Sequence, residues 1–177
     1  MLMSTPLAAQ PSPTILVVDD DPDITLVLQD LLEHAGYRVQ VAGTGAEALT
    51  KVKAESISAV LLDLMLPDMD GLSVLALLKE HDPLLPVIML TAFVEVAKKH
   101  ASLTEGAFGY LTKPYDGEEV KALIKRAVGV KHLSLEAASA RQALTASEER
   151  FREVVQTAPD AIVLANGEGA ILSWNSA

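Results

Sequence analysis

The chain has 177 residues, half of them hydrophobic and only 4% aromatic, and its 24 Asp and Glu outnumber 14 Lys and Arg for a formal net charge of −10. That acidity works against binding a phosphate backbone, and the lack of cysteine excludes disulfides and thiolate metal sites and suits a reducing cytoplasm. No apolar run nears the roughly 18 residues of a membrane helix, and residues 1–13 lack the basic start and apolar stretch of a signal peptide, so neither nucleic acid nor membrane is expected as a partner.

Residues 1–13, rich in Pro, Ser and Ala, are expected to form a flexible tail. Thr14-Ile15-Leu16-Val17-Val18 is an unbroken apolar run, which predicts a strand buried on both faces. It ends in Asp19-Asp20-Asp21, and Asp21 before Pro22 reads as a helix N-cap with proline in the first turn. Ile24, Val27, Leu28, Leu31 and Leu32 then recur at helical spacing up to Ala35, with Gly36 as the C-cap. The alternation repeats. Strands are predicted at Arg38–Ala42, Ser58–Asp63, Pro86–Thr91 and Phe108–Thr112, and helices at Gly45–Ala54, Leu72–Glu80 and, more weakly, Val94–Leu103. Five strands alternating with helices predict a doubly wound α/β sheet, in which ligands sit beyond the carboxyl ends of the strands.

From about Gly117 a long helix begins. Leu123, Val130, Ala137, Leu144 and Phe151 recur every seven residues, and Arg126, Leu133, Ala140, Ser147 and Val154 follow each by three. This is an a/d seam weakened by small and polar layers. It fits a single helix packed on its own domain, or a parallel homodimeric coiled coil through the 123–154 helix. The second is favoured because no other segment of the chain is available as a partner. Beyond it, Ala161–Ala165 and Ala170–Trp174 read as two strands joined by a turn at Asn166-Gly167-Glu168-Gly169. The expected organisation is a tail at 1–13, a domain at 14–130, a helical linker at 131–155 and a truncated second domain at 156–177.

The chemistry lies at the predicted strand ends. Asp19 and Asp20 follow the first strand and Asp63 ends the third. Clustered carboxylates repel one another, and a hard cation such as Mg²⁺ relieves that cost. Asp21 is assigned to capping, but capping cannot absorb Asp19 and Asp20 as well. Asp63 alone reads as a strand terminator; beside the other two it is a candidate nucleophile toward phosphorus. Asp68, Asp70 and Gly71 read as turn residues and the cap of the next helix. Thr91 and Lys113 end the fourth and fifth strands, where a hydroxyl and an ammonium suit phosphoryl oxygens; each alone is equally a turn threonine or a solvated lysine. His34, His81, His100 and His132 stand in unrelated contexts and are expected on the surface.

Ile15-Leu16-Val17-Val18-Asp19-Asp20-Asp21, Leu62-Asp63-Leu64-Met65-Leu66-Pro67-Asp68-Met69-Asp70-Gly71, Leu90-Thr91-Ala92 and Tyr110-Leu111-Thr112-Lys113-Pro114 are the motifs, in order. In these, residues 14–130 resemble the receiver domain of two-component response regulators. The resemblance implies a parallel sheet in the order 2-1-3-4-5 with five helices. It implies that Asp63 accepts a phosphoryl group from a histidine kinase or phosphotransfer protein. Mg²⁺ would be held by Asp19, Asp20, Asp63 and the backbone carbonyl of Met65. Lys113 and Thr91 would contact the phosphoryl group, and Tyr110 would be an aromatic switch with Thr91; its alternative is an ordinary strand aromatic. Ser147-Glu148-Glu149-Arg150-Phe151-Arg152, Ala158-Pro159-Asp160-Ala161-Ile162 and Trp174-Asn175 resemble the opening of a PAS sensory domain. Only that opening is present, so no cofactor sensing is expected from it.

The function this implies is phosphorelay signalling, with the C-terminal helix switching a downstream module and no turnover of a substrate by this segment. The rest of the parent chain is left open, a signalling enzyme included. Two alternatives stand beside it. One is a Mg²⁺-dependent aspartyl-phosphate phosphatase, disfavoured because Met65 occupies the place of a general acid and no cap domain is evident. The other is a dimerisation module with an inert receiver, disfavoured by the complete acidic set and Lys113.

Overall fold

The computed structural model describes residues 12–92, 106–157 and 163–174. The chain divides into two compact units, Met1–His132 and Leu133–Ala177. In the first, β1 (Thr14–Val18), β2 (Arg38–Ala42), β3 (Ala59–Asp63), β4 (Val87–Thr91) and β5 (Gly109–Thr112) form one sheet in the order β2-β1-β3-β4-β5. Every pairing in it is parallel. The helices are α1 (Pro22–His34), α2 (Gly45–Ala54), α3 (Gly71–His81) and α4 (Gly117–Thr157). Four helices are therefore present among the described residues where five were expected, and the expected helix over 94–103 lies outside those residues, as does most of the tail.

The unbroken apolar runs follow from burial on both faces. Leu16, Val18, Val60, Leu62, Val87 and Met89 pack with Ala48, Val52, Val74, Leu75 and Leu78 of α2 and α3. The alternate residues Ile15, Val17, Leu61, Ile88, Leu90 and Leu111 pack with Leu28 and Leu32 of α1 and with Val120, Ile124 and Ala127 of α4. A parallel strand thus feeds two cores at once, and each fully buried Leu or Ile supplies about 1.5–3 kcal/mol.

Local chemistry fixes the helix ends. The Asp21 carboxylate accepts from the Asp23 N–H at 2.9 Å and the Ile24 N–H at 3.5 Å, so α1 begins two residues before its first apolar position. Its C-cap is Ala35 rather than Gly36. Gly36 lies one residue further on, at φ +90°, and donates to the Glu33 carbonyl at 3.0 Å; a side chain there would be strained. Asp70 occupies the N-cap position of α3 without a side-chain capping bond. Asp68 caps α2 instead, accepting from the N–H groups of Gly45 and Ala46, each at 2.9 Å. These bonds hold its carboxyl below the usual range. Asp70 thus stands where the cap of the next helix was expected, and the correction concerns Asp68, which reaches back across 22–23 residues to the preceding helix.

Helix α4 carries a buried stripe of Val120, Ile124, Ala127 and Lys131. Leu123, the first residue of the expected seam, packs against the core of its own domain. Val130, Leu133, Leu144, Phe151 and Val154 are exposed. The free apolar series thus starts at Val130. In the second unit, β6 (Val163–Ala165) and β7 (Ile171–Trp174) form an antiparallel hairpin with an irregularity at Leu164/Ala165. Its turn is the expected one: the Asn166 side chain accepts from the N–H groups of Glu168 at 3.1 Å and Ala170 at 2.9 Å, and Gly169 takes a positive φ of 84°. No helix among the described residues is long and apolar enough to cross a membrane.

Candidate functional site

Strand order brings β1 and β3 side by side, with Val18 opposite Leu62, so the residues that follow, Asp19 and Asp63, emerge together at the carboxyl rim of the sheet. Asp19 is 2% exposed and Asp63 8% exposed, while Asp20 is open to solvent. One carboxylate oxygen from each of the three lies within 4.8 Å of the others. Lys113 directly follows β5, and a cis peptide joins it to Pro114. Its ammonium extends to Asp19 Oδ2 at 2.6 Å and Asp63 Oδ1 at 2.8 Å.

The remaining lone pairs are used locally. Asp19 Oδ1 accepts from the Asp21 N–H and Asp63 Oδ2 from the Met65 N–H, both at 3.0 Å. Met65 also bridges to Asp70, which closes the loop after β3. Gly71 explains how tightly that loop folds: a Cβ there would sit 2.3 Å from the Asp63 carbonyl oxygen and 2.9 Å from the Leu64 Cα. The Gly71 N–H donates to the Leu64 carbonyl at 3.0 Å. Only glycine lets α3 start this close to the acid-bearing strand.

The electrostatics are unbalanced. Burial pushes the Asp19 carboxyl up, against the pull of Lys113. Burial works to lower Lys113 as well, but its bonds to Asp19 and Asp63 prevail and hold the ammonium above its ordinary value. Three carboxylates face one ammonium, an excess of two negative charges. All the donors are hard oxygens, the set that Mg²⁺ and Ca²⁺ favour and that soft metals do not. The residues present fit a divalent ion in both charge and ligand type.

Thr91 ends β4 and is buried, and its carbonyl accepts the Lys113 N–H at 2.7 Å, so the two residues adjoin through the backbone. Tyr110 stands lower in the sheet, opposite Met89, and packs partly buried against the α2/α3 core. The Met65 side chain is exposed. Beside the rim, Asp23, Ile24, Val27, Lys113, Pro114 and Tyr115 line a groove of about 520 Å³. Burial there raises the Tyr115 phenol. Asp19, Asp20, Asp63 and Lys113 are therefore brought together, Thr91 joins them along the backbone, and Tyr110 packs against the α2/α3 core one strand further along.

Three residues escaped the sequence reading. Asp68 and Gly71 read from sequence as turn residues and the cap of the next helix, which does not reveal the bond to α2 or the close approach to Asp63. Lys131 carries one signal in the sequence: it extends the Val120, Ile124, Ala127 stripe at helical spacing, which marks it as buried.

The fold and its rim define an α/β domain with an acidic, lysine-bearing site at the strand ends. A family model described as the response regulator receiver domain matches residues 15–125, and the chain belongs to that family. It is 41% identical over 117 residues to the probable transcriptional regulatory protein TcrX of Mycobacterium tuberculosis, which covers 64% of this chain and 50% of that protein. It is 43% identical over 111 residues to the alkaline phosphatase synthesis transcriptional regulatory protein PhoP of Bacillus subtilis, covering 63% of this chain and 46% of that one. The chain thus spans about half the length of these relatives. Among solved structures, a response regulator receiver domain protein (CheY-like) from Methanospirillum hungatei matches with a TM-score of 0.65 and 31% identity, covering 70% of this chain and 99% of that one.

Proposed function

We propose that this receiver domain accepts a phosphoryl group on Asp63 from the histidine of a kinase or phosphotransfer protein, and that α4 carries the resulting change onward. The observation that supports this reading most is the pairing of the Asp63 carboxylate with the Lys113 ammonium at 2.8 Å, inside an acidic cluster with two surplus charges. A carboxylate oxygen of Asp63 attacks phosphorus. As the new P–O bond forms, the bond from phosphorus to the donor imidazole nitrogen breaks, and the imidazole leaves with that electron pair. Lys113, held by two carboxylates, stays protonated and neutralises charge on the phosphoryl oxygens. Asp19, Asp20, Asp63 and the Met65 carbonyl would hold Mg²⁺, which when bound supplies charge neutralisation for the incoming phosphoryl oxygens.

Thr91, buried at the end of β4 and tied to Lys113 through the backbone, would hydrogen-bond the phosphoryl group. Its movement would open room for Tyr110, which lies part-buried on the next strand. The apolar groove between α1 and the residues after Lys113 offers the donor a surface to approach. Downstream, the exposed series Val130, Leu133, Leu144, Phe151 and Val154 supports a parallel homodimer of the helix, beginning one heptad later than Leu123. The segment after it reads as the start of a PAS-like module.

The test is intact mass after incubation with Mg²⁺ and a small-molecule phosphodonor. Wild type gains one phosphoryl group and Asp63→Asn gains none. Equal labelling of the two proteins would overturn the assignment.

A further inference from the structure

The opposite rim of the sheet holds a buried lysine. Lys131 is 9% exposed, and its ammonium donates to the Ile57 carbonyl at 2.6 Å and to Asp82 Oδ2 at 2.9 Å. Asp82 caps the C-terminal end of α3, its N–H donating to the Leu78 carbonyl at 2.9 Å. Ile57 lies just before β3 and is itself buried. Lys131 therefore grips the trailing end of α3 and the leading end of β3. Those two elements carry the phospho-acceptor: β3 ends in Asp63, and α3 begins at Gly71, in contact with the Asp63 carbonyl. Lys131 is also the last buried residue of α4, one position before the first unit ends at His132.

We propose that Lys131 is the positioning residue that ties the long helix to the β3–α3 pair, and that through this tie a change at Asp63 reaches the helix where it leaves the domain. The connection is separate from Thr91 and Tyr110, which lie on β4 and β5.

Several observations favour a tie over a lysine that merely fills space. Its carbon stem completes the apolar stripe while its ammonium meets a carbonyl and a carboxylate. Burial works to raise the Asp82 carboxyl, yet the bond from Lys131 prevails and leaves it below its ordinary value. A neighbouring lysine, Lys79 on α3, donates to the Leu85 carbonyl at 2.7 Å, so the loop that presents Asp82 is itself held. A strand and a helix that are each rigid, contacted at one end by the acid and at the other by one side chain, transmit displacement without needing the intervening core to deform.

The test is hydrogen exchange of the full chain, read at the α4 amides of residues 128–134. In the unphosphorylated protein, Lys131→Met speeds exchange there by at least about tenfold. Lys131→Arg restores most of the protection, and Asp82→Asn matches Lys131→Met without adding to it in the double variant. In the phosphorylated protein, with the phosphoryl gain verified by mass in the same samples, wild type shows a change at these amides. Lys131→Met gains the same mass but shows no change. If Lys131→Met does not fold, Lys131→Met/Asp82→Leu, which leaves no unpaired buried charge, takes its place. Unchanged exchange in the substituted protein, or a phosphorylation-induced change equal to that of wild type, would overturn the tie. The second half of the proposal rests on Asp63 being the acceptor: no mass gain in wild type would remove that half together with the acceptor reading, while the unphosphorylated comparison still decides whether the tie exists.

Discussion

The two rims of the sheet hold the same chemical elements in different proportion. At the carboxyl rim, one lysine serves two buried aspartates with a third alongside. At the opposite rim, one lysine serves one aspartate and one backbone carbonyl. The second carries no negative excess, since Asp82 faces both Lys131 and Lys79. The first is left with negative charge in excess, around the proposed acceptor Asp63 on a strand end. The proposed reactivity rests on the negative excess rather than on buried charge as such, since both rims have buried charge.

The sharpest way to test that contrast is to remove each lysine. Lys113→Met is expected to cut labelling of Asp63 by about a hundredfold or more, the scale of a lost electrostatic stabiliser. The same change deepens the negative excess, so Mg²⁺ affinity should rise by about tenfold or more, read by titration calorimetry. Lys131→Met should leave the labelling rate and Mg²⁺ affinity near wild type. It should instead lower unfolding stability by about 1.5–3 kcal/mol, as for a lost hydrogen bond to a charged group, measured in urea. If both variants changed labelling alike, the contrast would fail.

Gly71→Ala should come next in size. Its Cβ meets backbone, not a yielding side chain, so the loop after Asp63 must shift, costing about 1–3 kcal/mol of stability and slowing labelling. Circular dichroism melts and labelling kinetics on one preparation check both.

The rims should also respond to acid with opposite sign. Asp19 has a raised value, chiefly from burial, so the folded state binds its proton more tightly than the unfolded chain does. Stability of the metal-free protein from this group therefore falls as pH rises between the ordinary and the raised value. Asp19→Asn should be the more stable protein at neutral pH, with the gain vanishing at low pH. Asp82 is lowered because Lys131 outweighs burial. Its contribution is present above the ordinary value near 3.8 and is lost as pH falls through the lowered one. Asp82→Asn should be less stable at neutral pH and converge on wild type in acid. Urea midpoints across pH 2–7 would show the two trends cross. The smallest effect is expected from Asp68→Ala, which removes a solvent-facing cap from α2 and should only loosen its first turn in hydrogen exchange.

What was legible in the residues was whatever local patterning controls. The strand runs at Ile15–Val18, Ala59–Leu62 and Val87–Leu90 announce burial on both faces, and their terminal acids announce a shared rim once the strands are parallel. The Asp21-Pro22 start of α1 was legible because the cap and its partners lie within three residues. What stayed hidden depends on pairs distant in sequence. Asp68 finds α2 22–23 residues back, and Lys131 finds Asp82 and Ile57 at separations of 49 and 74. No periodicity encodes such partners. The heptad series failed at Leu123 for a related reason: a helix face can satisfy a seam and a core with the same residue type, and only packing decides which one takes it.

The surplus of two negative charges at the carboxyl rim also makes it a place to set a probe. Mn²⁺ shares the preference of Mg²⁺ for oxygen ligands and is paramagnetic. Bound among Asp19, Asp20 and Asp63, it would serve as a fixed magnetic origin, from which the graded broadening of amide signals measures distance outward along β3 and α3 to the far end of the sheet.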